Sequence, residues 1–159
     1  MRRLAVILAT GFGLGRLPIV PATWASLAVT LLLIAVSTFS PATLDPIPLG
    51  VAILLLVPAA IWSSGAAERD LGHDAKPIVV DEIVGMLVAV WAVPRGGAHS
   101  VALLFAAFLF FRIFDIAKPF PIGASQKLPG GLGVVTDDVL AGVATNLALR
   151  VLILAKVPL

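Results

Sequence analysis

Apolar positions in this chain come in long runs. Five stand out: 24-WASLAVTLLLIAVSTF-39, 47-IPLGVAILLLVPAAIWSSGAA-67, 83-IVGMLVAVWAV-93, 98-AHSVALLFAAFLFF-111 and 139-VLAGVATNLALRVLILAKV-157. Stretches of Pro, Gly and charge separate them, and runs of this kind predict helices. A membrane-spanning helix takes about 20 apolar residues. The second and fifth runs are long enough. The third and fourth are short unless their charged ends dip below the interface or are held inside a bundle. Pro58 is expected to kink the second helix, and Arg150 to snorkel or to face a neighbour. The N-terminus, 1-MRRLAVILATGFG-13, has two Arg followed by an apolar core of only Leu4 to Ala9. That core is short for a signal peptide and no A-x-A site follows, so a short membrane-associated helix is expected. No repeat, low-complexity tract or linker divides residues 1–159. The pattern predicts a single all-α domain: a polytopic helical membrane bundle of about five membrane-embedded helices plus a short N-terminal helix.

Composition sharpens this picture. The chain is 60% hydrophobic and 13% charged, with a mean hydropathy of +1.09. Soluble domains average about a quarter charged residues, so a soluble fold would have too little polar surface to cover itself. The shortness of the third and fourth runs keeps a soluble helical bundle as the alternative. A net charge of +2 and the lack of a basic run argue against nucleic-acid binding. With no Cys, disulfides, thiol chemistry and Cys-ligated metals are excluded.

Charge then gives sidedness. Alternating the connections puts 1–23, 68–82 and 112–138 on one side, and 40–46, 94–97 and the C-terminus on the other. Eight of the nine acids fall on the first side, as do eight of the eleven Lys and Arg. The excess of Lys and Arg marks that side as cytoplasmic.

The acids on this edge have two readings. In 78-IVVDEIVG-85, Asp81 and Glu82 open a helix; in 130-GGLGVVTDDVLAG-142, Thr136 is placed as an N-cap with Asp137 and Asp138 in the first turn. Acids there complement the helix macrodipole by about 0.3–1 kcal/mol, and Thr caps. That accounts for one acid per helix. Two adjacent acids on each of two helices, with Asp70, Asp74 and Asp115 on the same edge, would repel unless cations neutralise them. Hard oxygen ligands with no Cys favour Mg²⁺, which takes carboxylates plus substrate phosphate.

The stretch 110-FFRIFDIAKPFPI-122 sets Arg112, Asp115 and Lys118 three residues apart after an apolar run. Arg112 and Asp115 share a helix face, either as an interfacial ion pair or as parts of a polar site, since Arg suits bidentate phosphate binding. Lys118 precedes Pro119, which turns the chain; its ammonium meets phosphate or lipid headgroups. The segment 11-GFGLGRLPIVPATWAS-26 starts a helix near Thr23, read as a Thr-capped loop or as an anion site at a helix N-terminus. His73 and Asp74 lie in a loop after Gly72, where His73 is structural or an acid/base group.

Taken together, these segments resemble the phosphatidylglycerophosphatase A family from about Gly11 to Leu149. The stretch 21-PATWAS-26 is similar to P-G-T-x-G-S, keeping Thr23 and Ser26, with Ala22 and Ala25 where the family has glycines. The stretch 73-HDAKPIVVDEIVG-85 is close to H-D-x-x-x-I-V-x-D-E-x-x-G. The stretch 110-FFRIFDIAKPFPI-122 matches F-R-x-x-D-x-x-K-P-x-P-I, and 130-GGLGVVTDDVLAG-142 matches G-G-x-G-x-x-x-D-D-x-x-A-G. The resemblance implies a Mg²⁺-dependent phosphatase of the bacterial inner membrane, facing the cytoplasm, that converts phosphatidylglycerophosphate to phosphatidylglycerol.

Its implications for single residues follow. Asp81, Glu82, Asp137 and Asp138, with Asp115 beside them, would hold Mg²⁺. Arg112 and Lys118 would bind the phosphoryl oxygens, and Asp81 or Asp115 would act as base or nucleophile. Thr23, Ser26, His73 and Asp74 would contribute to substrate binding. Phe105, Phe108, Phe110, Phe111 and Phe114 would face the acyl chains. Membrane lipids are the expected surroundings, and homo-oligomerisation is left open. The rival from another class is a small transporter or ion-binding subunit, since intramembrane carboxylates also mark ion pathways; it requires acids at mid-helix depth. The only histidines, His73 and His99, fall on opposite sides, so the His-and-Arg constellation of type-2 phosphatidate phosphatases is not available. The CDP-alcohol transferase signature is absent too.

Overall fold

A computed structural model of the chain describes residues 2–94 and 99–157, with backbone alone at 99 and 100. Among these residues all regular structure is helical: α1 Arg2–Ala9, α2 Pro21–Phe39, α3 Pro46–Leu71, α4 Val80–Val90, α5 His99–Ala117, α6 Ile122–Ser125 and α7 Gly131–Leu154. Short 3₁₀ turns at Gly11–Arg16 and Pro41–Leu44 lead into α2 and α3. Most of the connection expected at 94–97 lies outside the described residues, as does Ala98, the start of the fourth apolar run.

Prolines and glycines set the boundaries. Pro21 and Pro46 open α2 and α3, where a missing N–H costs nothing. Pro58 is carried inside α3 without ending it. Gly72, at φ 99°, follows the end of α3. α5 stops at Ala117, and Lys118 turns at φ 42° ahead of Pro119, as the sequence indicates. The start of α7 is a correction. It begins at Gly131, after Gly130 at φ 55°, so Asp137 and Asp138 lie in its second turn. Thr136 is not a cap; its hydroxyl donates to the Leu132 carbonyl at 2.6 Å. The start of α2 is another: Val20, not Thr23, is its N-cap residue, and no side chain caps it.

α7 lies against α3, α4, α5 and α6, while α1 packs on α3 and α2 on α5. α4 and α7 pack closely. A Cβ on Gly142 would sit 2.4 Å from the Gly85 carbonyl oxygen, and one on Gly85 would sit 2.7 Å from that of Asp138. Small residues let membrane helices come this close. The end of α4 is held by α7 as well. The Asn146 side-chain amide donates to the carbonyls of Val88, Ala89 and Trp91, at 3.1, 3.2 and 2.7 Å. Arg150 donates to the Ala92 carbonyl at 2.8 Å and to Asn146 at 2.7 Å. These bonds satisfy carbonyls that a helix end otherwise leaves orphaned, and they settle Arg150 as facing a neighbour.

α2 and α3 are long and apolar enough to cross a membrane. Only 28% and 22% of their most apolar stretches is buried, so neither is the core helix of a soluble domain, and the chain reads as a membrane protein. Among the described residues two helices meet this standard, against about five expected. α4 has 11 residues, about 16 Å of helix against a hydrocarbon core of about 30 Å. α5 and α7 each include charged residues of the polar edge, which shortens their apolar stretches. One aromatic expectation is also corrected. Phe111 is fully buried in the core, where a Cβ on Gly85 would meet its ring, so it does not face acyl chains. Phe105 is exposed, and Phe108, Phe110 and Phe114 pack partly buried against the core.

Candidate active site

The N-terminus of α4 brings two acids into the interior. Asp81 and Glu82 occupy its first turn and are both buried. Asp138, in the second turn of α7, reaches the same point across the Gly85–Gly142 crossing. Ligand oxygens of Asp81, Glu82 and Asp138 lie within 4.8 Å of one another. Asp81 Oδ1, Glu82 Oε2 and Asp138 Oδ2 are buried without a hydrogen-bond partner.

These acids lie N-terminal to the apolar runs at 83–93 and 139–157. Burial pushes the Asp81 and Asp138 carboxyls well above the usual carboxylate range, and neighbouring carboxylates push them further: Glu82 and Asp138 act on Asp81, and Glu82, Asp115 and Asp137 on Asp138. Burial also raises Glu82, with hydrogen bonding from Asp81 in partial opposition. Capping explains an exposed acid at a helix start. It does not explain three buried acids that disfavour one another's ionisation. A cation among them would remove both the repulsion and the unmet acceptors. The donors are all hard oxygens, a set that fits Mg²⁺ or another hard divalent ion.

Two cations stand near these acids. α5 presents Arg112 beside Asp115, with Nη1 2.7 Å from Oδ2. Both side chains are largely buried. The turn after α5 aims Lys118 at α7, where Nζ donates to Asp137 Oδ2 at 2.6 Å and lies 3.9 Å from Asp115 Oδ1. Asp137 is thus directed to Lys118, and it stands outside the Asp81–Glu82–Asp138 cluster. Burial raises the Asp137 carboxyl, and the Lys118 ammonium offsets this only in part. Burial alone would lower the Lys118 ammonium, but Asp137 and its neighbours outweigh it and raise it.

A cleft of about 310 Å³ opens onto this constellation, lined by Val20, Pro21, Ala22, Asp74, Ala75, Lys76, Ile78, Asp81, Glu82 and Arg112. The loop from Gly72 to Val79 forms one wall. It is anchored by the Val79 N–H, which donates to the Ala9 carbonyl at 2.8 Å. A Cβ on Gly15 would lie 1.9 Å from the Pro77 carbonyl oxygen, so the Gly-rich segment packs against this wall. Glu68 steadies the loop. Its Oε1 accepts the Asp74 N–H at 3.1 Å and pairs with His73 Nδ1.

The remaining sequence-derived candidates divide. Asp74 lines the cleft. The His73 side chain is 67% exposed, paired with Glu68 and not among the lining residues. Ser26 is fully buried, its hydroxyl donating to the Ala22 carbonyl at 2.9 Å, and Thr23 is not in the lining either. Ala22 lines the cleft directly. The left-handed residues before it are Ile19 and Val20, at φ 60° and 49°, so position 22 has no need of glycine for its backbone. Glu68 and Lys76 are the polar residues that sequence reasoning passed over. Neither falls at a distinguished spacing; the only signal was proximity to His73-Asp74 in the chain.

A helical, membrane-associated protein with buried carboxylates and an arginine lining a headgroup-sized cleft has the makings of a lipid phosphohydrolase. Residues 7–153 match the phosphatidylglycerophosphatase A family, and the chain belongs to that family of phosphatases. Three relatives cover most of its length. The first, from Bacteroides thetaiotaomicron and named "Putative phosphatidylinositol-3-phosphatase", is 36% identical over 93% of this chain and 92% of its own. The phosphatidylglycerophosphatase A of Haemophilus influenzae is 39% identical over 86% of this chain and 81% of its own. That of Escherichia coli is 37% identical over 86% and 76%. No solved structure matches the chain.

Proposed function

We propose that this protein hydrolyses the terminal phosphomonoester of phosphatidylglycerophosphate, giving phosphatidylglycerol and inorganic phosphate at the cytoplasmic face of a bacterial inner membrane. The observation that carries this reading is the trio of buried, partnerless carboxylate oxygens on Asp81, Glu82 and Asp138, of which Asp81 and Glu82 line the cleft together with Arg112. Asp81, Glu82 and Asp138 would hold Mg²⁺, with Asp137 close by. When bound, the ion neutralises the acids and acts as a Lewis acid on the phosphoryl group.

The chain's own residues do the rest. Arg112 binds phosphoryl oxygens through its guanidinium, which Asp115 holds in place. Lys118 adds positive charge where charge builds up on the equatorial oxygens. Asp81 or Asp115 serves as the base for an attacking water or as the nucleophile. The lipid's acyl chains stay outside, since 310 Å³ is at the low end of the roughly 300–1,000 Å³ of small-molecule sites. The acids sit near helix ends, not at mid-helix depth, which favours hydrolysis over transport. We place the apolar stretches of α5 before Arg112 and of α7 after Asp138 in the membrane together with α2 and α3, with the Lys- and Arg-rich edge inside the cell.

The name of the Bacteroides thetaiotaomicron relative brings phosphatidylinositol 3-phosphate into the test as a second head group. Purified protein in detergent, given Mg²⁺ and a panel of phosphatidylglycerophosphate, phosphatidylinositol 3-phosphate and phosphatidate, should release phosphate fastest from the first. Faster release from either of the others assigns a different substrate, and release from none refutes the hydrolase reading.

A further inference from the structure

We infer that Lys76 is a specificity-determining residue that binds the phosphodiester of the lipid head group while the phosphomonoester lies at Arg112. The inference rests on the hydrolase reading above and deepens it.

The lining is polar in two ways. Asp81, Glu82 and Arg112 are buried or largely so, whereas Asp74 and Lys76 lie exposed on the loop between α3 and α4. Of the half-buried cations, Lys118 pairs with Asp137 and Arg112 with Asp115, which leaves the Arg112 Nε buried without a partner. Lys76 lines the same cleft, and among the described residues it has no ion pair. The loop that carries it does not hang free. Glu68 accepts from the Asp74 backbone, Asp74 is fixed at φ 47°, and Val79 is bonded to the end of α1. An exposed cation is therefore presented at a set place on the wall of a site built for phosphate.

Substrate chemistry supplies the match. Phosphatidylglycerophosphate carries a dianionic monoester and, across one glycerol, a monoanionic diester that joins it to the lipid. The forked Arg guanidinium suits the monoester, and a compact ammonium suits the single charge of the diester. Asp74, which also lines the cleft, is an acceptor for the hydroxyl on the intervening glycerol. Phosphatidate has a monoester but no diester, so it can use Arg112 and has nothing to offer Lys76.

The test is steady-state kinetics of the full chain in mixed micelles, with wild type, Lys76→Met and Lys76→Arg, on phosphatidylglycerophosphate and phosphatidate. Lys76→Met should raise KM for phosphatidylglycerophosphate about tenfold with kcat within about twofold, the pattern of lost uniform binding. The kcat/KM preference for phosphatidylglycerophosphate over phosphatidate should shrink by a similar factor, and Lys76→Arg should recover most of it. A KM within twofold of wild type in Lys76→Met overturns the inference and leaves the hydrolase reading intact. An equal fall on both lipids shows a general charge or folding effect and overturns it too. A wild type that hydrolyses neither lipid refutes the hydrolase reading and this inference with it.

Discussion

Asp81, Glu82 and Asp138 are each costly alone and costlier together. Burial raises the folded-state pKa of all three. For a carboxyl with a raised pKa the folded state holds its proton more tightly than the unfolded chain. Stability from that source is present at low pH and is lost as pH rises through the raised values. With a chelator present, the melting temperature should therefore fall as pH rises from 5 to 8. Mg²⁺ should reverse this, raising it more at pH 8 than at pH 5; an effect of Mg²⁺ independent of pH would argue against these carboxylates as ligands. Asp138→Asn should lower activity about 10²-fold or more, the scale of a lost catalytic group, and in chelator should melt higher than wild type, because one repelling charge is gone. A variant that is inactive and also melts lower in chelator would mean that Asp138 is a structural residue.

At the scale of elements, the site depends on how closely α4 and α7 cross. Gly85→Ala would drive a methyl into the Phe111 ring and the Asp138 carbonyl, at 2.6 and 2.7 Å. Overpacking of this kind costs about 1–3 kcal/mol and would push Asp138 away from Asp81. The expected result is a lower melting temperature together with a loss of activity, measured on the same preparation. Asn146→Leu tests the other end of α4. It strips the carbonyls of Val88, Ala89 and Trp91 of their donor and should destabilise the fold by about 1–3 kcal/mol, leaving the carboxylates in place. Some of this was legible in the sequence. Pro119 announced the end of α5 and the turn at Lys118, because proline acts on its immediate neighbours. The start of α7 was not, because Thr136 has the chemistry of a cap but sits inside a helix that two glycines open earlier. The inward turn of Phe111 was hidden for a different reason. A helix apolar all round carries no periodic mark of its buried side, and only the missing side chain of Gly85 decides it. Lys76 and Glu68 escaped because their roles depend on contacts across the fold.

At the scale of the whole molecule, the exposed apolar surface of α2 and α3 suits a bilayer, and the proposed orientation of the charged edge can be tested. The chain has no Cys, so single cysteines report topology cleanly. Lys127→Cys, between α6 and α7, should be shielded from an impermeant thiol reagent in intact cells and labelled after permeabilisation. Thr43→Cys, between α2 and α3, should be labelled in intact cells. The opposite pattern would invert the proposed orientation. The all-helical fold followed from the apolar runs. The number of spans did not, because a run such as 83–93 is apolar enough for lipid yet too short to cross it, and its partner α7 satisfies its C-terminal end.

The most direct test is phosphate release from phosphatidylglycerophosphate by purified wild type, Asp81→Asn and Asp115→Asn, with Mg²⁺ and with chelator. Wild type is expected to release phosphate with Mg²⁺ and to lose that activity in chelator, with at least one of the two variants reduced about 10²-fold or more. No release by wild type with Mg²⁺, or full rates in both variants, would contradict the assignment of this carboxylate site to phosphate hydrolysis.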